Sequence, residues 1–101
     1  MYLSSLALLA ASALPISAIA AGDAAAGKAK FAVCAGCHGP TGAGNEALKY
    51  PKLSGRDAAF VAESLRAFKS GKRDNATMKA MTAGLSEADM DNLAAYVATL
   101  K

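Results

Sequence analysis

Two cysteines and the only histidine of this 101-residue chain fall within five consecutive positions, Cys34-Ala35-Gly36-Cys37-His38. Two thiols at that spacing can grip one planar group at two points, and an imidazole that follows at once is aimed at its centre. The pattern C-x-x-C-H is the attachment signature of a covalent haem. The thiols add across the two vinyl groups of one haem edge, and His38 faces the iron from one side. An imidazole in that role needs an acceptor for its other ring nitrogen, which fixes the ring. No second histidine competes with His38.

Other chemistries use the same pair of cysteines. A redox dithiol asks for a thioredoxin-like βαβ pattern, which this sequence lacks. A closed zinc site takes four ligands, and two Cys with one His would need a carboxylate to complete it. A structural disulfide is compatible with an oxidising compartment. The rest of the chain favours the haem.

From Met1 to Ala21 there is no Asp, Glu, Lys or Arg. Leu3 to Leu14 is an Ala/Leu-rich core, Pro15 breaks it, and Ala18-Ile19-Ala20 supplies a small-x-small cleavage pattern. Residues 1–20 are therefore expected to be a cleaved signal peptide and 21–101 the mature domain, exported to the periplasm. Met1-Tyr2 carries no basic residue, so only the terminal amine supplies the usual charge. The rival reading is an uncleaved anchor, since a spanning helix needs about 20 apolar residues. Ala and Ser dilute this run, however, and Pro15 interrupts it.

The remaining 81 residues sit near the lower limit for a self-sufficient core, where a staple, metal or cofactor is often needed. Large side chains are scarce, with no Trp, three Phe and three Tyr in the chain. A bulky prosthetic group would fill that deficit. The net charge of +3 is too weak and too dispersed for a nucleic-acid binder.

The expected fold class is all-α, with three main helices and Gly-rich loops wrapped around one haem. The first helix is read from about Asp23 to Cys34, with Gly27, Phe31 and Cys34 on one face. Five glycines and two prolines between Gly36 and Gly55 argue against regular structure there. A second helix is read from Asp57 to Ser70, with Phe60, Val61, Ser64, Leu65 and Phe68 on one side and Gly71 as its stop. Residues 72–77 form a polar connector leading into Met78-Lys79-Ala80-Met81. The third helix opens at Ser86 with Asp89 as capping-box partner, and buries Met90, Leu93, Val97 and Leu100.

A haem carrier of this kind takes a sixth iron ligand from the protein. With His38 used, methionine is the soft donor on offer, and Met/His ligation raises the reduction potential. Met90 belongs to a helix stripe. Met78 and Met81 stand before that helix, and periodicity does not choose between them.

These residues together resemble a small bacterial class I cytochrome c, similar to the single-haem units that recur as halves of dihaem cytochromes. The resemblance spans essentially 21–101. It rests on Gly22-Asp23 through Gly27, Cys34-Ala35-Gly36-Cys37-His38-Gly39, Tyr50-Pro51-Lys52-Leu53-Ser54-Gly55, Met78, Leu85-Ser86 and Leu93-Ala94-Ala95-Tyr96. It implies that Met78, seven residues before Leu85, is the axial ligand. It implies that Pro51 gives its carbonyl to the His38 ring. It implies that the first and last helices cross at Gly27, with Phe31 against Leu93 and Tyr96. The cofactor set is then one covalent haem c with its iron, held by Cys34, Cys37, His38, Pro51 and Met78.

The function so implied is one-electron transfer between redox proteins, with no substrate transformed, so the chain is not expected to be an enzyme. Lys49, Lys52, Arg56, Lys72, Arg73 and Lys79 lie in segments expected around the haem, where they either dock acidic partners or are ordinary solvated charge. No nucleic acid and no membrane insertion of the mature chain are expected, and a monomer is favoured. The rival functions are a ligand-binding haem protein with an open sixth site and a cytochrome subunit of a larger redox complex.

Overall fold

The computed structural model describes residues 22–101, so the expected signal segment 1–20 lies outside the described residues. Among the described residues there are four α-helices: α1 Ala24–His38, α2 Ala58–Ser70, α3 Ala76–Thr82 and α4 Glu87–Val97. A single 3-10 turn, Glu46–Leu48, lies in the long loop between α1 and α2. The only β-type pairing described is an isolated antiparallel bridge between Asn45 and Tyr50.

Every helix begins at a side chain able to accept from the unpaired amides of its first turn. Asp23 accepts from Ala25 and Ala26, Asp57 from Phe60, and Asn75 from Met78. Ser86 and Asp89 bond each other's main-chain N–H reciprocally, a complete capping box. Such caps contribute about 1 kcal/mol each. Gly71 ends α2 at φ 83°, a left-handed position that suits glycine.

The helices differ from expectation in two places. Helix α1 runs through the cysteine motif to His38 instead of stopping at Cys34. Gly36 is not the breaker: it faces open space, and one helical glycine costs only about 1 kcal/mol against the surrounding ladder. Gly39, at φ 89°, is the terminator, its N–H donating to the Ala35 carbonyl. The stretch bearing Met78 and Met81 is likewise not an open connector but the short helix α3, nucleated by the Asn75 cap.

The core lies where α1 crosses α4. A Cβ on Gly27 would sit 1.9 Å from the Asn92 carbonyl oxygen and 2.9 Å from the Tyr96 Cβ, so the crossing is closer than any side chain allows. Just upstream the Asp23 N–H donates to the Asn92 side chain at 2.7 Å. Phe31 is buried with Leu93, Ala94 and Val97, and its ring meets Tyr96 in a tilted pair with centroids 5.2 Å apart. Burying each of the large apolar side chains contributes about 1.5–3 kcal/mol.

Helix α2 closes the core from the side with Val61 and Ala62. Its Arg66 reaches α4, donating to Glu87 and Asp91 at 2.7 Å each, and the Lys69 ammonium donates to the Leu85 carbonyl. Phe60, expected on the buried side of α2, is 45% exposed. It stands in the first turn of α2, and the Arg56 guanidinium lies 5.0 Å from its ring centroid.

Candidate functional site

One rigid rod carries the three residues of the motif. On the last turns of α1, Cys34 and Cys37 are three residues apart and Cys34 and His38 four apart, spacings that bring side chains to one side of a helix. The two sulfurs are free, not joined to each other. Cys34 is half-buried beside the core and Cys37 exposed. Burial pushes the Cys34 thiol above its ordinary value, partly offset by a hydrogen bond from the main chain.

His38 is buried, and its Nδ1 lies 2.8 Å from the Pro51 carbonyl oxygen. A carbonyl only accepts, so Nδ1 carries the proton and Nε2 keeps its lone pair for another centre. Among the described residues no group of three or more His, Cys, Asp or Glu gathers as a metal cage. Among the described residues no carboxylate therefore joins these cysteines and His38 to complete a four-ligand zinc site. The donor set that remains, two free thiols and one oriented imidazole, fits a haem.

The loop between α1 and α2 supplies the carbonyl through its own main chain. Gly44 N–H donates to the His38 carbonyl at 2.7 Å, while Leu53 and Ser54 N–H both donate to the Gly42 carbonyl. Pro51 itself is exposed, so its fixed φ and carbonyl matter here and its ring does not.

Met78 sits in the first turns of α3, half-buried, with its N–H bonded to Asn75 and its carbonyl accepting from the Thr82 hydroxyl at 2.8 Å. Thr82 is only 1% exposed, and its hydroxyl also reaches the Lys79 carbonyl. Met81, on the same helix, is 43% exposed. The sequence reading missed Asn75 and Thr82, which hold Met78 in place. The signal was present in Asn75-Ala-Thr-Met78, a cap residue three positions before a methionine.

The cations expected around the site lie on several segments. Lys49 and Lys52 flank Pro51, Arg56 donates to the Lys52 carbonyl, and Lys79 follows Met78. The ion pairs of the described residues involve only Lys30 and Arg66 among the basic side chains. Arg73 lies over the Phe68 ring at 4.6 Å.

Fold and donor set together define a class of protein: a small helical domain carrying a covalently bound haem. The family model described as Cytochrome c matches residues 24–101, and the chain belongs to that family. Cytochrome c-554(547) of Halothiobacillus neapolitanus is 47% identical over 95 residues, covering 80% of this chain and all of that protein. Cytochrome c4 of Pseudomonas aeruginosa is 43% identical over 82 residues, covering 81% of this chain but 40% of its own length. The crystal structure of reduced recombinant cytochrome c4 from Pseudomonas stutzeri matches with a TM-score of 0.74 at 32% identity, covering 80% of this chain and 52% of that one. The chain thus spans about half or less of the cytochromes c4 it matches, and the whole of the shorter c-554. The family's cofactor is haem c with its iron, and its members of this type are electron carriers.

Proposed function

We propose that this protein is a one-electron carrier of the exported compartment, with haem bonded to Cys34 and Cys37 and iron held between His38 and Met78. The observation that carries the reading is the buried His38 ring, anchored at Nδ1 by the Pro51 carbonyl with Nε2 left free. When bound, the haem supplies the redox couple, and the protein tunes it. His38 and its carbonyl partner set the donor strength on one side, and soft sulfur from the half-buried Met78 favours the reduced state on the other. Helix α3, held by its Asn75 cap, keeps Met78 in one position whichever way the electron moves. The core of α1 against α4 supplies the rigidity that keeps reorganisation small.

Export is supported by the uncharged run 1–20 with its small-x-small end. Among the described residues no helix is long and apolar enough to cross a membrane. Lys49, Lys52, Arg56, Lys72, Arg73 and Lys79, without carboxylate partners among the described residues, suit docking to redox proteins with acidic patches.

The test is the visible and near-infrared spectrum of the haem-loaded mature protein, oxidised and then reduced. Low-spin bands with the weak ferric charge-transfer band of sulfur–iron ligation are expected. A high-spin spectrum that responds to carbon monoxide would refute the Met78 ligand and point to an open sixth site. Absence of covalent haem would refute the whole reading.

A further inference from the structure

The loop that presents Pro51 is closed on itself, and both of its ends land on His38. Asn45 N–H donates to the Tyr50 carbonyl at 2.7 Å, and Tyr50 N–H returns to the Asn45 carbonyl at 2.9 Å. The Asn45 side chain accepts from Leu48 N–H, and Lys49 adopts a left-handed conformation at φ 64° to complete the turn. At one end of this ring of chain, Gly44 N–H donates to the His38 main-chain carbonyl at 2.7 Å. That carbonyl is among those a helix C-terminus leaves without an intrahelical partner. At the other end, the Pro51 carbonyl takes the Nδ1 proton of the same residue at 2.8 Å.

The two ends meet at Gly44. A Cβ there would lie 2.6 Å from the Tyr50 carbonyl oxygen, 2.7 Å from Lys52 N and 2.8 Å from the Pro51 carbonyl carbon. All three are main-chain atoms, which cannot turn aside as a flexible side chain would. The φ of +74° at Gly44 adds a conformational reason for glycine.

We propose that Gly44 is the positioning residue of the His38 imidazole: its main chain ties the end of α1 to the loop, and its missing side chain lets the Pro51 carbonyl reach Nδ1. This rests on the reading of His38 as the axial ligand. Any side chain at 44 drives the Pro51 carbonyl outward and stretches the bond to Nδ1–H. An imidazole that loses its acceptor is a weaker donor to iron. The oxidised state, which depends more on that donation, is then disfavoured.

The experiment compares haem-loaded wild-type protein with Gly44→Ala and Gly55→Ala, reading the reduction potential and the solvent exchange of the His38 Nδ1 proton by NMR. Gly44→Ala is expected to raise the potential and speed the exchange. Gly55 has a similar φ of +83° but open space around its Cβ position, so Gly55→Ala carries the backbone strain without moving either readout. Where Gly44→Ala does not assemble with haem, Asn45→Ala takes its place. It adds no atoms, loosens the turn by removing the bond to Leu48 N–H, and is expected to shift both readouts the same way by a smaller amount. Unmoved potential and exchange in the variant that assembles overturn the proposal. Wild-type His38 ring protons without an iron-induced shift instead overturn the axial assignment, and the proposal with it.

Discussion

Replacing Gly27 by alanine tests the helix crossing on which the site depends. Taken alone, the change favours the helix by about 0.5–1 kcal/mol, because alanine loses less backbone entropy. The crossing reverses the sign. The new methyl would fall 1.9 Å from the Asn92 carbonyl oxygen and 2.5 Å from its carbon, where ordinary contact begins near 3.4 Å. Both atoms are main chain within α4, so the helices themselves must part, by about 1.5 Å. A gap of 0.5–1 Å already forfeits about a quarter to a half of the dispersion well. Phe31, Leu93 and Val97 lie buried on that seam, each contributing about 1.5–3 kcal/mol when fully packed. Losing about half of that, less the helix gain, leaves a net cost of about 1–4 kcal/mol. For a domain of this size this is a fall in Tm of about 4–32 °C. The assay is guanidinium unfolding of the haem-loaded protein, compared at equal m-value. Gly36→Ala, in the same helix with nothing within 4 Å, is the companion, expected to be neutral or stabilising by up to about 1 kcal/mol. A Gly27→Ala variant within about 0.5 kcal/mol of wild type would refute the close crossing.

Four further outcomes are expected. Met78→Ala abolishes the sulfur–iron charge-transfer band and admits carbon monoxide to the ferrous protein, while Met81→Ala, at an exposed position, leaves both unchanged. Arg66→Ala removes two bonds between α2 and α4 and costs about 1 kcal/mol in urea unfolding, modest because the side chain is 38% exposed. The N–H of Ser86, helped by the Lys30 ammonium, holds the Asp89 carboxyl below its ordinary value. A folded-state value below the unfolded one means stability present above the unfolded value and lost as pH falls through the folded one. Asp89→Asn is therefore less stable than wild type at pH 7, and the gap closes in unfolding curves measured at progressively more acid pH. Electron-transfer rates with an acidic redox partner, followed by stopped flow, fall with added salt, and rates indifferent to salt would sink the docking role of Lys49, Lys52, Arg56, Lys72, Arg73 and Lys79.

Much of this molecule is written in side chains and was legible as such. The cysteine motif announces its own chemistry, and Asp57, Ser86 and Gly71 mark helix ends by the groups they satisfy. The Gly27 crossing was legible through family resemblance. Gly36 misleads because the signal attaches to glycine as a type, whereas the ladder from Ala35 to Gly39 decides where the helix ends. Helix α3 is too short for a periodic pattern, so only its cap betrays it. Phe60 fits the α2 stripe by spacing, yet its ring lies half-exposed beside the Arg56 guanidinium. The acceptor on His38 is a main-chain oxygen, and no residue pattern says which carbonyl a loop will turn inward. Family resemblance pointed to Pro51, and the loop's main-chain bonds show how its carbonyl comes to face the ring.

The pairing of Asp23 with Asn92, 69 positions apart, bears on how such a domain is made and cut. A fragment that lacks α4 leaves Phe31 without Leu93, Ala94 and Val97, the far-downstream side of its core. Until both segments are present the chain has no α1–α4 seam, and its core is incomplete. A tag appended at the exposed Lys101 leaves the seam intact, whereas a cut ahead of Val97 strips one wall of the core and condemns the remainder to degradation.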